Sequence, residues 1–278
     1  MRTLKNTLII LLLTFIISCS KDENTPASEN PALNVYRIKQ VIFPSTTTMD
    51  YEYNAQNKVS KIAYTTGIFE KYTYNSQGSI LTYEASGYVS ISQNSITNYV
   101  YDSSGVKIEE ITVRGNGNKY KYVYTNSNGL PIESRFYTWN TTTNLWVEST
   151  GSRLTYIYNS NNQVTRTQAV SYYVLNAYDS RGNSNEYKLY NKKSDGTYFL
   201  SNQVNYTYDD KKAINYGPFT NGNKNNITDY LSKTYLENGS LSDQSSGSYS
   251  YEYNEASYVT KQYYNGALNA TFSLDKIN

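Results

Sequence analysis

The 278-residue sequence contains no histidine and a single cysteine, Cys19. Without histidine the chain lacks the usual general base and the commonest metal ligand, so Ser-His-Asp and Cys-His catalytic arrangements are excluded. A lone cysteine excludes disulfides within the chain. A pair of carboxylates, as in glycosidases, is the main catalytic arrangement that remains. We therefore expect a protein that is not an enzyme and has no metal and no cofactor.

An excess of positive charge is also missing. The chain has 25 Lys and Arg against 23 Asp and Glu, and loss of residues 1–18 would remove Arg2 and Lys5 and balance the two signs. A protein that binds nucleic acid needs a basic stripe that neutralises phosphates, and no dense cluster of Lys and Arg occurs here. Nucleic acid is therefore not a predicted partner.

Long apolar runs are absent except near the N-terminus, where residues 8–17 are apolar apart from Thr14. A short apolar run behind Arg2 and Lys5 is typical of a secretory signal, and it is shorter than the roughly 20 residues that span a bilayer. The sequence that follows, Ile-Ile-Ser-Cys, ends at Cys19 and resembles the lipobox of bacterial lipoproteins. The resemblance implies that residues 1–18 are a signal peptide and that Cys19 carries the lipid that anchors the chain in the membrane.

Residues 19–34 are polar, contain two prolines and have no apolar pattern, so they are predicted to form a flexible tether. Within it, Lys21-Asp22-Glu23 resembles the short charged signal that sends some lipoproteins of Gram-negative bacteria to the cell surface. The alternative is an ordinary solvated linker. An Asp directly after the cysteine would resemble an inner-membrane retention signal. This position is Ser20, so the outer membrane is the favoured location. Residues 35–278 form the predicted β domain.

Tyrosine is the residue in excess, with 33 copies. A short phrase recurs eight times: Tyr-x-Tyr, then Asn or Asp, then two residues, then Gly or Asn. One copy has an extra residue before its turn, one lacks the first tyrosine, and the last two lack the glycine. The copies start at positions 51, 72, 99, 122, 156, 176, 206 and 251. Since each buried aromatic ring removes roughly 150–250 Å² from water, we expect these tyrosines to form most of the core.

The phrase predicts a β-hairpin. Tyr-x-Tyr places both rings on one face of a strand, because side chains alternate with a period of two. Asn or Asp hydrogen-bonds the backbone two residues on, and the final residue accepts a positive φ. The turn glycines that should have positive φ are Gly78, Gly105, Gly129 and Gly182.

The repeated phrase resembles the YD repeat of RHS proteins over roughly residues 50–260. The resemblance implies an all-β fold in which antiparallel hairpins join into one long, twisted or curled meander sheet. The segment from Trp139 to Asn159 is also similar to a tryptophan-containing variant found in secreted and lipid-anchored bacterial proteins. The chain is too short to close the large shell of full RHS proteins and no toxin-like domain follows the repeats, so a toxin-encapsulating role is not expected.

Trp139 and Trp146 are the candidate binding residues. If residues 141–144 form a loop, the two side chains face each other across a hairpin on one side of the sheet. One interpretation is a stacking platform for a sugar ring. The other is a cross-strand pair that packs the sheet.

Two acidic pairs, Glu109-Glu110 and Asp209-Asp210, are weaker candidates. Neighbours in a strand point to opposite faces, so Glu109 and Glu110 are not expected to share a substrate. Asp209 and Asp210 lie at a predicted turn, where Asp is common for backbone reasons. The polar segment 221–226 is predicted to be a long loop.

The sequence thus predicts a lipid-anchored, non-enzymatic protein of the bacterial cell envelope that acts in binding, adhesion or scaffolding at the surface. The first alternative is a carbohydrate-capturing surface lipoprotein that serves a transport system. The second is a glycosidase with paired carboxylates. The predicted partners are the membrane, through the lipid on Cys19, and a glycan or another envelope protein.

Overall fold

The computed structural model describes residues 35–214, 216–218 and 223–277, which form nineteen β-strands. The first half of the sheet consists of β1 (Val35–Ile42), β2 (Thr48–Tyr53), β3 (Val59–Tyr64), β4 (Phe69–Tyr74), β5 (Ile80–Ser86), β6 (Ser95–Tyr101), β7 (Lys107–Arg114), β8 (Lys119–Ser127) and β9 (Leu130–Asn140). The second half consists of β10 (Leu145–Glu148), β11 (Leu154–Tyr158), β12 (Val164–Gln168), β13 (Tyr172–Tyr178), β14 (Ser184–Lys192), β15 (Tyr198–Lys212), β16 (Asn225–Tyr235), β17 (Leu241–Tyr253), β18 (Val259–Tyr264) and β19 (Ala267–Ile277).

The strands form a single antiparallel sheet in which consecutive strands are neighbours, so the all-β, antiparallel prediction is confirmed. The sheet is closed, however, and is not an open meander. Strand β1 pairs with β2 on one side and with β19 on the other, which closes a ring of eighteen strands. Strand β10 lies outside the ring, because it pairs with the end of β9 while the start of β9 pairs with β11.

The most buried part of the interior lies where the ring closes. Val41 of β1 and Ala270 of β19 are completely buried, and Val41 is opposite Phe272 in the register of the two strands. Met49 and Ile62 on β2 and β3 extend this cluster. The closing strands have no Tyr-x-Tyr phrase, and aliphatic side chains provide the apolar area that joins the two ends of the sheet.

Along each repeat strand the tyrosines face inward and the intervening residues face outward. On β4, Tyr72 is buried and Tyr74 is half-buried, whereas Lys71 and Thr73 are exposed. This is the alternation expected of a sheet with one dry face and one wet face.

The repeat turns form as their residue types predict, except in the seventh copy, where Asp209 lies within β15. In the third copy, Asp102 Oδ1 accepts hydrogen bonds from the backbone N–H groups of Ser104 and Val106, both at 2.9 Å. The four glycines have positive φ, a conformation that costs glycine little because it has no Cβ. Their φ values are 83° for Gly78, 80° for Gly105, 78° for Gly129 and 92° for Gly182.

A second hydrogen bond recurs between consecutive hairpins. In six of the eight repeats, the second tyrosine donates its hydroxyl hydrogen to a backbone carbonyl of the preceding strand in the sheet. Each acceptor lies in the first half of its strand. Most of the acceptors are the first strand residue after a turn, where the register shifts by one residue. The bonds are Tyr53 to Ile38 (2.6 Å), Tyr74 to Val59 (2.6 Å), Tyr101 to Ile80 (2.7 Å), Tyr158 to Pro131 (2.7 Å), Tyr178 to Val164 (2.9 Å) and Tyr208 to Ser184 (2.5 Å).

Because the chain runs up and down, all the repeat turns lie at one edge of the closed sheet, which we call the repeat-turn edge. The first described residue, Val35, is opposite Ile277 and also lies at this edge. At this edge the tyrosine hydroxyls hydrogen-bond strands to each other in pairs such as β3 and β4. The chain itself connects these two strands only at the other edge. They therefore hold neighbouring hairpins together where no turn does so.

Substitution Tyr101→Phe tests this link. It removes the donor that serves the Ile80 carbonyl, and an unsatisfied buried polar group costs roughly 1–3 kcal/mol. We expect the free energy of unfolding in urea to fall by about that amount. In the matched variant, Tyr263→Phe, the lost hydroxyl lies on the outer face and donates to the exposed Glu252. Equal losses of stability in the two variants would contradict the assignment.

The tyrosine interior also predicts instability at high pH. Burial raises the pKa values of Tyr53, Tyr74 and Tyr251 to about 12, against roughly 10 in an unfolded chain. Their contribution to stability is therefore complete below about pH 10 and is lost as the pH rises through about 12. We expect circular dichroism and tyrosinate absorbance to change together in this range. Tyrosines on the outer face can ionise first without unfolding, but ionisation of every tyrosine near pH 10 in an intact sheet would contradict the prediction.

Candidate functional site

The two tryptophans form a pair on the outer face of the sheet, at the edge opposite the repeat turns. Trp139 on β9 is directly opposite Trp146 on β10, as the hairpin prediction required. Their ring centroids lie 5.3 Å apart and the ring planes meet at 71°, which is an edge-to-face contact. Aromatic pairs in this arrangement contribute about 0.5–1.5 kcal/mol beyond the area they bury.

Lysines from β8 lie over these rings. Lys119 Nζ is 5.3 Å from the centroid of Trp139, and Lys121 Nζ is 4.9 Å from that of Trp146. Lys121 Nζ is also 5.4 Å from the ring of Tyr137. These five side chains, Lys119, Lys121, Tyr137, Trp139 and Trp146, are called the Trp patch below. Because the lysines occupy part of the ring faces, the patch offers a ligand both aromatic surface and positive charge.

The acidic pairs do not converge on a common point. Glu109 is 3.5 Å from Lys121 on the outer face, whereas Glu110 is 2.9 Å from Lys107 on the inner face. Lys107 and Glu110 are both largely buried, and the Lys107 ammonium lies 4.5 Å from the ring centroid of Tyr124. The strand alternation predicted from the sequence therefore separates the two carboxylates.

Asp209 and Asp210 also have separate partners. Asp209 Oδ1 accepts hydrogen bonds from the backbone N–H groups of Lys211 and Asn226, both at 3.0 Å, while Asp210 is exposed and lies 3.3 Å from Lys211 Nζ. Both residues lie within β15, and not in a tight turn as predicted. Among the described residues, no group of three or more Asp, Glu or Cys side chains is arranged to hold a metal ion.

Several predicted features lie outside the described residues: the signal peptide 1–18, the tether 19–34 and the lipidation site Cys19. The described chain contains no helix with the length and hydropathy needed to cross a membrane.

The sequence did not predict that the segment after β15 turns into the interior. The predicted loop begins earlier, at Ala213, and Asn225 and Asn226 already belong to β16. Tyr216 reaches the closing strands: its carbonyl accepts a 2.9 Å hydrogen bond from Tyr51 Oη, and its ring centroid is 5.6 Å from that of Phe272. The signal in the sequence was the seventh repeat, in which Asp209-Asp210 stands without the glycine that would end the strand in a tight turn.

This inward segment borders a cavity of about 580 Å³ at the repeat-turn edge. Its walls come from the closing strands β1 and β19, the turns after β2 and β4, and the residues flanking the inward segment. Three basic side chains contribute to the lining: Arg37, Lys58 and Lys212. We call this feature the cationic cavity.

Aromatic rings accompany each of the three cations. The Arg37 guanidinium lies 4.3 Å from the ring centroid of Tyr53, and Lys58 Nζ lies 5.6 Å from that of Tyr74. Lys212 Nζ is 6.0 Å from the ring of Tyr258. For Tyr53, burial raises the pKa of the hydroxyl to about 12, and the neighbouring Arg37 opposes that shift. The phenol is therefore neutral at physiological pH and serves as a hydrogen-bond donor.

No known family model matches the sequence, and no curated protein is significantly similar to it. Similar solved structures include a porin-like protein from Bacteroides uniformis, with 12% identity, 86% of this chain and 98% of that chain covered, and a TM-score of 0.42. A chain of the Photorhabdus luminescens Tc holotoxin pore has 14% identity and a TM-score of 0.30, with 81% of this chain and 9% of that chain covered. A DUF3836 family protein from Parabacteroides distasonis has 12% identity and a TM-score of 0.18, with 58% of this chain and 92% of that chain covered. At these TM-scores the similarities establish neither a family nor a function.

Proposed function

We propose that this protein is a lipid-anchored, non-enzymatic binding protein of the outer membrane of a Gram-negative bacterium, acting in adhesion or scaffolding at the cell surface. The observation that carries the proposal is the apolar run followed by Ser18-Cys19, which resembles a lipoprotein processing site. Several acyl chains on one cysteine give stable anchoring, since each buried CH₂ contributes about 0.8 kcal/mol.

The outer face of the described domain fits this proposal. Outward positions on β2 and β4 include Asp50, Glu52 and Lys71, all exposed. These charged positions are suited to water, and Cys19 would supply an anchor that does not depend on this part of the surface. The 15-residue segment between Cys19 and Val35 spans at most about 50 Å when extended, which allows the domain to stand clear of the bilayer.

The Trp patch supports a binding role. It presents aromatic and cationic groups on an outward surface, whereas the acidic residues that were candidates for catalysis hold lysines or backbone groups in separate places. Tryptophan and tyrosine, both present in the patch, are among the residues that most often dominate binding at protein surfaces.

A second candidate function is capture of a carbohydrate for a transport system. The observation that favours it is the pair Trp139 and Trp146, since sugar rings stack on exposed aromatic surfaces. Lys119 adds a cation beside Trp139, whereas the charge of Lys121 is offset by Glu109 at 3.5 Å, so both neutral and acidic sugars are candidates. The glycosidase alternative has less support, because neither acidic pair converges.

The anchor is tested by Cys19→Ser in the full chain. We expect the wild-type protein to remain with membranes after a carbonate wash and the variant to move to the supernatant. The matched variant Ser20→Ala keeps the cysteine and should behave as wild type. Continued acylation and membrane retention of Cys19→Ser would contradict the proposal.

The Trp patch is tested by Trp139→Ala in the full chain, purified in detergent and applied to a glycan array with both neutral and acidic sugars. If the patch binds glycans, we expect binding to fall at least tenfold while the thermal transition persists. The control Ile157→Ala removes an outward, 55% exposed apolar side chain from β11 and should leave binding unchanged. Unfolding of Trp139→Ala, with no glycan bound by the wild type, would show that the pair is structural and favour a protein partner.

A further inference from the structure

The cationic cavity brings three positive charges together without acidic partners. Among the described residues, its lining contains no Asp or Glu, and no carboxylate forms an ion pair with Arg37, Lys58 or Lys212. The five undescribed positions between Ala213 and Asn223 are Asn215 and residues 219–222, and their sequence carries no charge. Lys212 is exposed, whereas Arg37 and Lys58 are half-buried, and partly buried like charges are unfavourable unless an anion compensates them.

The contacts of the basic groups leave donors unused. Arg37 Nη1 donates to Asn57 Oδ1 at 2.7 Å, but Arg37 Nε is buried and has no acceptor among the described residues. Lys58 Nζ donates one hydrogen bond, to the carbonyl of Gly78 at 2.9 Å, and an ammonium group has three donors. Buried polar groups are normally satisfied, so an unsatisfied guanidinium nitrogen points to an acceptor other than the described residues.

The nearest acid in the strand register does not fill this role. Asp275 of β19 is opposite Arg37 of β1, but its side chain is 42% exposed, and its ion-pair partner is Lys39, whose Nζ lies 3.9 Å from Asp275 Oδ1. Asp275 does not line the cavity, although its charge reaches Tyr53 and helps to raise the pKa of that hydroxyl.

The rest of the lining is apolar or aromatic. Ile38, Val59, Ile80 and Leu274 contribute aliphatic wall, and the rings of Tyr53 and Tyr74 lie beside the cations. A volume of about 580 Å³ is within the roughly 300–1,000 Å³ of sites that hold small organic molecules. Cations beside an apolar wall select a molecule that has an acidic head and an apolar or aromatic body.

We infer that the cationic cavity is a binding site for an organic anion, with its carboxylate, sulfonate or phosphate group held by Arg37, Lys58 and Lys212 and its apolar or aromatic body against the aliphatic wall. The binding energy comes from charge-assisted hydrogen bonds to the head group, which are roughly twice as strong as neutral ones. This inference depends on the cavity alone, so it does not require Cys19 lipidation or the Trp patch.

Isothermal titration calorimetry of the full chain in a nonionic detergent tests the inference with two probes. Naphthalenesulfonate has an aromatic body and an anionic head, and naphthylmethylammonium has the same ring with the opposite charge. We expect saturable one-to-one binding of naphthalenesulfonate and no measurable binding of naphthylmethylammonium. Arg37→Gln and Lys58→Gln should each weaken naphthalenesulfonate binding about tenfold or more.

Lys71→Gln serves as the matched control, because it removes a lysine charge from the exposed outer face of β4 and should leave the affinity unchanged. If Arg37→Gln loses its thermal transition, Lys212→Gln provides the second test of charge. The inference is overturned if naphthalenesulfonate does not bind, if both probes bind equally, or if folded variants at Lys58 and Lys212 bind as wild type does. Membrane release of Cys19→Ser is scored separately, so failure of the proposed function and failure of this inference are distinguishable.

Discussion

The closed sheet depends on one recurring hydrogen bond, made in six of the eight repeats from the second tyrosine to a carbonyl on the preceding strand. Each repeat turn shifts the strand register by one residue. The shift removes the carbonyl at the start of the next strand from the regular ladder of hydrogen bonds between strands. The hydroxyl of the following tyrosine meets that carbonyl, as in Tyr74 to Val59 and Tyr101 to Ile80. The same side chain thus fills the interior with its ring and satisfies the backbone with its hydroxyl, which neither Phe nor Leu can do.

Tyrosine also explains how a chain with few aliphatic residues folds into so large a sheet. The inward rings bury area at every repeat, and the aliphatic residues are concentrated where the two ends of the sheet meet, around Val41 and Phe272. At that seam the repeat is absent and no tyrosine hydroxyl bridges β19 to β1 in the repeated manner. Close packing of aliphatic side chains takes over there, and Tyr216 on the inward segment completes it.

Local rules account for the parts of the structure that the sequence predicted. The turn chemistry of the phrase specifies the hairpins and the positive φ of Gly105, and strand alternation places Glu109 and Glu110 on opposite faces. The facing of Trp139 and Trp146 follows from the loop length between them. Each of these features depends on residues that are close in the sequence.

Closure, the inward segment and the cationic cavity depend on residues that are far apart. Whether β19 reaches β1 is decided by twist accumulated over the whole sheet, and a repeat pattern fixes only the pairing of neighbours. Arg37 and Lys212 are separated by most of the chain and carry no local motif that relates them. The missing turn glycine after Tyr208 marks the place where the pattern breaks, but it does not show which way the chain then runs.

The two candidate binding surfaces differ in their position relative to the start of the domain. The cationic cavity lies at the repeat-turn edge, where Val35, the first described residue, also lies. Strand β9 runs from this edge to the opposite one, and its eleven residues correspond to a length of about 35 Å, so the Trp patch at its far end is held well away from the tether. If the chain is anchored through Cys19 as proposed, the Trp patch is the surface farther from the first described residue and the more accessible one to a large partner. The up-and-down sheet thereby places the Trp patch, proposed to bind a partner or glycan, and the cationic cavity, inferred to bind a small organic anion, at opposite edges.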